Sequence, residues 1–214
     1  MALLFLERAF QAFEHDQLDL VMDDFRRYVQ PPLRKYGQYI KQLMGQQFTS
    51  LDLPVHLAKH IRRKVSLPFN TWVAIGGDNR GYKKYLHLQL GINRQYVFFV
   101  IASLDHPPIE KMAIQHWQRY PQVLKHLPED VVFIFDHTQY DYCLLKEIPL
   151  KDIFARVDQK KKADIMIGRI LHRNDESLQS EEAFKAWLNQ TLGDLRPLLA
   201  LMVQSGAMTK MKES

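Results

Sequence analysis

Thr71-Trp-Val-Ala-Ile75, Gly76-Gly77-Asp78-Asn79-Arg80-Gly81, Tyr85-Leu-His-Leu-Gln-Leu90 and the apolar run Tyr96 to Ala102 follow one another closely, and their reading decides the fold. Leu86, Leu88, Leu90 and Ile92 alternate with His87, Gln89 and Gly91, which is the period of a strand with one face buried. Two such segments around a Gly/Asn/Asp turn predict a β-hairpin. Tyr96 to Ala102 is apolar at almost every position, as a central strand covered on both faces requires, and it is expected beside the hairpin.

Working outward, Leu18, Val21, Phe25, Tyr28, Val29, Leu33, Tyr36, Ile40, Leu43 and Met44 keep helical spacing. Pro31 and Pro32 divide them into one helix ending near Gln30 and another starting at the prolines and closing at Gly45, because proline lacks the amide donor but suits a first turn. A short basic helix is predicted over Val55 to Lys64. On the other side, Ile109 to Leu127 reads as a helix interrupted by Pro121, Val131 to Phe135 as a strand, Leu150 to Lys162 as a helix and Ile165 to Leu171 as a strand. The last long helix starts with Ser180 as N-cap, buries Phe184, Trp187, Leu188, Leu192, Leu195, Leu199 and Met202, and ends at Gly206. Strands joined partly by hairpins and flanked by helices give a single α+β domain over residues 1–206, a central mostly antiparallel sheet with helices packed against it. Residues 207–214 are expected to fray.

Composition narrows the function classes. With 46% hydrophobic and 25% charged residues, the 214-residue chain has the make-up of an ordinary globular protein. The single cysteine, Cys143, permits no internal disulfide and points to the cytoplasm, and no helix amino terminus is predicted beside it, so a buried thiol is expected. The apolar start Met1 to Leu6 has no basic leader and is broken by Glu7 and Arg8, unlike a signal peptide. The longest apolar run, Tyr96 to Leu104, is far short of the roughly 18 residues that span a bilayer, so no membrane association is expected.

The net charge of +5 is local. Residues 59–87 hold seven Lys or Arg against the lone acid Asp78, a net +6, and the rest of the chain sums to −1. Lys59, His60, Arg62, Arg63 and Lys64 come from the basic helix, and Arg80, Lys83 and Lys84 from the hairpin. His87, on the polar side of its strand, adds a donor. If the hairpin folds back on the helix, these groups frame one anion-binding surface, with Arg forks suited to phosphate. A phosphorylated small molecule or RNA is the partner expected, although no aromatic single-strand platform stands out. The plainer alternative is a solvated sheet edge protected by lysines.

Other motifs fall away. Gly76 and Gly81 are spaced like the start of a P-loop, but Tyr82 replaces the lysine and a strand follows where a helix is needed. His56 and His60 have metal-pair spacing, yet position 57 is Leu and Lys59, Arg62 and Arg63 would repel a cation. No metal or cofactor is therefore expected. Asp136-His137-Thr138 follows a strand, where polar side chains are held rigidly, so an enzyme using His87, Asp136 and His137 as acid/base groups is the second functional reading, against a plain hydrogen-bonded turn.

Ala58-Lys59-His60-Ile61-Arg62-Arg63, Asn70-Thr71-Trp72-Val73-Ala74, Arg80-Gly81-Tyr82-Lys83-Lys84 and His87-Leu-Gln-Leu-Gly91, extended by Asp136-His137-Thr138 and Ile167-Gly168-Arg169, resemble the YktB-like family of uncharacterised proteins from low-GC Gram-positive bacteria. Ile92-Asn93 and Leu104-Asp105 depart from that pattern. The resemblance implies an α+β domain with an antiparallel sheet and carries no activity, cofactor or catalytic residue with it.

Overall fold

The computed structural model describes residues 4–49, 51–58, 67–104, 108–159 and 164–209. Within them, β1 (Val55–Leu57), β2 (Asn70–Ile75), β3 (His87–Asn93), β4 (Tyr96–Ser103), β5 (Val132–Ile134), β6 (Cys143–Leu144) and β7 (Ile165–His172) form one seven-stranded sheet in the order β1-β2-β3-β4-β7-β5-β6. Every pairing is antiparallel. The predicted hairpin is β2 with β3, Ala74 facing Gln89 in register, and the predicted central strand is β4, flanked by β3 and β7.

Helices α1 (Glu7–Gln11), α2 (Leu18–Asp24), α3 (Gln30–Gln47), α4 (Pro108–Arg119), α5 (Gln122–Lys125), α6 (Leu150–Gln159) and α7 (Glu181–Gln204) complete the domain. The prolines do not separate α2 from α3. Pro31 and Pro32 cannot donate to the carbonyls four residues back, and the chain adapts through one π-helical turn, Phe25–Val29, that leads directly into α3. α7 begins as expected, with the Ser180 Oγ accepting from the Ala183 amide at 3.0 Å.

One face of the sheet is closed by α3 and α7. Val73, Ile75, Leu88, Leu90, Ile92, Phe99, Ile101 and Ile167 meet Tyr36, Ile40, Phe184, Leu188 and Leu195 there, all fully buried. α3 crosses the sheet closely at Gly37, where an added Cβ would lie 2.8 Å from a Val73 methyl. Arg169 also points to this face, and its guanidinium pairs with Asp130 at 2.7 and 2.8 Å and with Asp194 of α7 at 2.7 Å. Among the described residues no helix is long and apolar enough to cross a membrane.

Three expectations are corrected. Val55–Leu57 is an edge strand rather than the start of a helix, because Val55 and Leu57 pair with Ile75 and Val73 and join their core, which outweighs local helical spacing. The side of β3 read as polar is not solvated: all seven residues of the strand are buried, since a second layer covers that face as well. Residues 207–209 are held rather than frayed, with Ala207 and Met208 buried and their carbonyls accepting from Leu86 and Gly77; 210–214 lie outside the described residues.

A candidate ligand site beneath the hairpin loop

The connection between β2 and β3 is built to fold over the sheet. Gly77 has φ +83°, and a Cβ there would lie 2.4 Å from the Gly81 carbonyl oxygen, so only glycine permits the tight turn. Asp78 closes it. Its Oδ1 accepts from the Arg80 and Gly81 amides at 2.8 and 3.1 Å, and its Oδ2 accepts from the Tyr85 hydroxyl at 2.9 Å. The Tyr85 hydroxyl, followed by these amides, holds the Asp78 carboxyl below the usual range. The C-terminal segment straps the loop: Gly77 N–H donates to the Met208 carbonyl at 2.7 Å, Leu86 N–H to the Ala207 carbonyl at 3.0 Å, and the Thr209 hydroxyl to the Gly77 carbonyl at 2.8 Å. Arg80, Lys83 and Lys84 are exposed on the loop.

Tyr82 turns inward. Its hydroxyl accepts from the Trp72 indole N–H at 3.0 Å, and its ring lies 4.7 Å from His87 and 5.7 Å from His56. Burial pushes the Tyr82 phenol up. Beneath it the register sets His56 beside Ala74, Ala74 beside Gln89, and His87 beside Ala102, so three polar side chains share one face with Ala74 of β2 between His56 and Gln89 and Ala102 of β4 next to His87.

His87 and Gln89 are fully buried. The His87 Nδ1 is 3.0 Å from the Tyr85 carbonyl oxygen, which can only accept, so Nδ1 carries the proton and Nε2 presents a lone pair. Burial pushes the imidazole down to about 4, and the nearby His56 and Lys83 charges act in the same direction. His87 Nε2, both polar atoms of the Gln89 amide and His56 Nε2 are buried and bond nothing among the described residues. Each such group costs about 1–3 kcal/mol if left unsatisfied.

The sequence candidates divide accordingly. Lys59, His60, Arg62, Arg63 and Lys64 lie outside the described residues. Arg80, Lys83 and Lys84 share the loop that roofs the buried trio, and Lys83 is near enough to bias His87. His87 is corrected from a surface donor to a buried acceptor, for the reason that makes all of β3 inaccessible. Gln89, His56 in this role, Tyr82 and Trp72 were not singled out. A glutamine in a strand flanked by strands on both sides was the available signal, visible only once the second layer is known.

Asp136 is exposed and spends Oδ1 on the Thr138 amide at 2.8 Å and hydroxyl at 2.6 Å, the hydrogen-bonded turn that was the plainer expectation. His137 is pinned by three contacts. Its Nδ1 is 2.6 Å from Asp164 Oδ2, its amide donates to the same oxygen at 3.1 Å, and its carbonyl accepts from the Asn70 amide at 2.5 Å. Asp164, a lone acid between the lysine run and a strand, carried no signal in the sequence. Ligand atoms of Asp136, His137 and Asp164 lie within 4.8 Å of one another, a separation one cation can span, but the described hydrogen bonds already engage them. A chain of contacts joins His137 to His87 through Trp72, whose ring centroid is 6.0 Å from that of His137, and then Tyr82. Cys143 is partly exposed on β6, not fully buried, because β6 is the sheet's edge.

The family described as "Domain of unknown function (DUF1054)" matches residues 5–199. The chain belongs to that family. The DUF1054 relatives include a UPF0637 protein of Enterococcus faecalis, 35% identical over 201 residues that cover 94% of this chain and 98% of the relative. Others are a UPF0637 protein of Staphylococcus haemolyticus, 31% identical over 89% of this chain and 95% of its own, and one of Staphylococcus aureus, 30% identical over 90% and 96%. The placement among low-GC Gram-positive bacteria agrees with the YktB-like resemblance, and the DUF1054 family has no established function.

Proposed function

We propose that this protein binds a phosphorylated small molecule on the loop-covered face of its sheet, between the cations of the hairpin loop and the polar trio beneath it. One observation carries the reading: His56, His87 and Gln89 hold four buried polar atoms without a partner among the described residues, under a loop that carries the exposed Arg80, Lys83 and Lys84. Buried polar groups are ordinarily satisfied, and a protein that leaves several together has a use for their bonding capacity. The only acid of the loop, Asp78, is spent on the turn itself, so the loop's field is positive. Between the two expected partners, enclosure of the trio favours a small molecule over RNA, whose bases and backbone would be read on an open surface.

Calorimetric titration with ribose 5-phosphate and pyrophosphate, at low and at high salt, tests the charge. Binding is expected to weaken with salt and by roughly tenfold, equivalent to ~1.4 kcal/mol, on Lys83→Glu or Arg80→Glu. Affinities untouched by salt and by both reversals would refute the reading.

A further inference from the structure

The loop's charge accounts for an anionic group but not for the chemistry below it. A phosphate oxygen brings no proton to the His87 Nε2 lone pair, whose direction is set by the Nδ1–H bond to the Tyr85 carbonyl. What bonds Nε2 is an N–H or O–H. Gln89 beside it offers a carbonyl and an amide N–H₂ side by side, both without a partner among the described residues, so it suits a group with an adjacent donor and acceptor. The surroundings are flat and small: the Tyr82 ring over His87, the Trp72 indole bonded to that ring's hydroxyl, and Ala74 and Ala102 at the neighbouring register positions. Aromatic side chains beside directional amides are how proteins hold planar bases.

We infer that the buried end of the site takes a planar nitrogen heterocycle of the nucleobase class, whose adjacent donor and acceptor pair with the Gln89 amide and whose further N–H donates to His87 Nε2. The inference rests on the proposed anion reading in one respect, that the same molecule's phosphate reaches the Arg80, Lys83 and Lys84 loop. The ligand is then a nucleotide rather than a sugar phosphate.

The experiment is titration of the full chain with the four ribonucleoside 5′-monophosphates, their nucleosides and ribose 5-phosphate, followed by calorimetry and thermal shift. At least one nucleotide is expected to bind more tightly than ribose 5-phosphate. Gln89→Met, which keeps the side chain's shape, is expected to weaken that nucleotide and its nucleoside about tenfold while leaving ribose 5-phosphate unchanged. Tyr82→Phe should bind like the wild type and Tyr82→Ala should not, a pair of loop variants that remains informative if the strand variant fails to fold. Nucleotides binding no tighter than ribose 5-phosphate, with Gln89→Met and Tyr82→Ala silent, would overturn the heterocycle inference and leave the anion reading standing. Nucleoside binding that survives while Lys83→Glu changes no nucleotide affinity would sink the anion reading alone. If no probe binds, the inference fails, and a lowered melting temperature of Gln89→Met would then show that the trio houses internal water only.

Discussion

The two faces of this sheet are both closed, but by different chemistry. On the face under α3 and α7, aliphatic and aromatic side chains interdigitate, the buried cation Arg169 is matched by two carboxylates, and the Tyr36 hydroxyl is an isolated atom without a partner among the described residues. On the face under the hairpin loop, Ala58, Trp72, Ala74, Phe98, Val100 and Ala102 share a cluster beside His56, His87 and Gln89, whose Nε2 atoms and amide have no partner among the described residues, while His87 Nδ1 meets the Tyr85 carbonyl. The difference teaches that burial and satisfaction are separate properties. The first face leaves such atoms isolated within an apolar core, whereas the second gathers four of them under one loop.

Substitutions can break or sharpen that contrast. The largest effect is expected on the first face: Phe184→Ala removes a fully buried ring that packs edge-on against Tyr36 at 4.6 Å and against Phe5 at 5.7 Å, and should cost ~3–5 kcal/mol in chemical denaturation. A loss below ~1 kcal/mol would deny that this face carries the fold.

The next concerns acid. In the unfolded chain His87 takes up a proton below the ordinary 6.5, whereas in the native state it stays neutral to about 4. Between those values the unfolded state binds the extra proton, so stability falls as pH drops through the window and is fully present above it. The loss across the window is on the order of 3–4 kcal/mol, at ~1.4 kcal/mol per unit. His87→Gln should flatten this acid limb, and an unchanged limb would place the titration elsewhere.

Gln89→Met should move the other way, raising stability by ~1–2 kcal/mol without ligand because two unpartnered polar atoms leave the interior. Destabilisation of that size would mean the amide is satisfied in solution. Smallest of all, Lys185→Ala removes an i,i+4 surface pair with Glu181 at 2.7 Å and should leave the unfolding midpoint almost unchanged, with an effect that vanishes in high salt. Its loss should also let Glu181 rise from about 2 toward its ordinary value, although the Lys35 contact at 2.6 Å retains part of the shift.

How far the sequence could be read differed between elements for physical reasons. The strand Tyr96–Ser103 and the helix from Ser180 are long and strongly patterned, so their type and first residues were plain. Val55–Leu57 was misread because three residues show no period of their own, and only pairing with Ile75 to Val73 makes them a strand. His87 was recognised as notable, but its environment was inverted. An alternating strand announces that one face is apolar and says nothing about whether loops will close the other. Gln89 and Asp164 carried no local signal at all, since a single polar residue acquires a role only from what is folded against it.

By itself, then, the sequence determined an antiparallel α+β domain, the location of its charge and the glycine turn at Gly76 to Gly81, because period, proline, glycine and net charge are properties of neighbouring residues. Tertiary structure alone decided that Tyr82 roofs His87, that the C-terminal strap holds the loop over the sheet, and that Asp164 meets His137. Those contacts join residues far apart in the chain, and their energies depend on burial and orientation that no local pattern encodes.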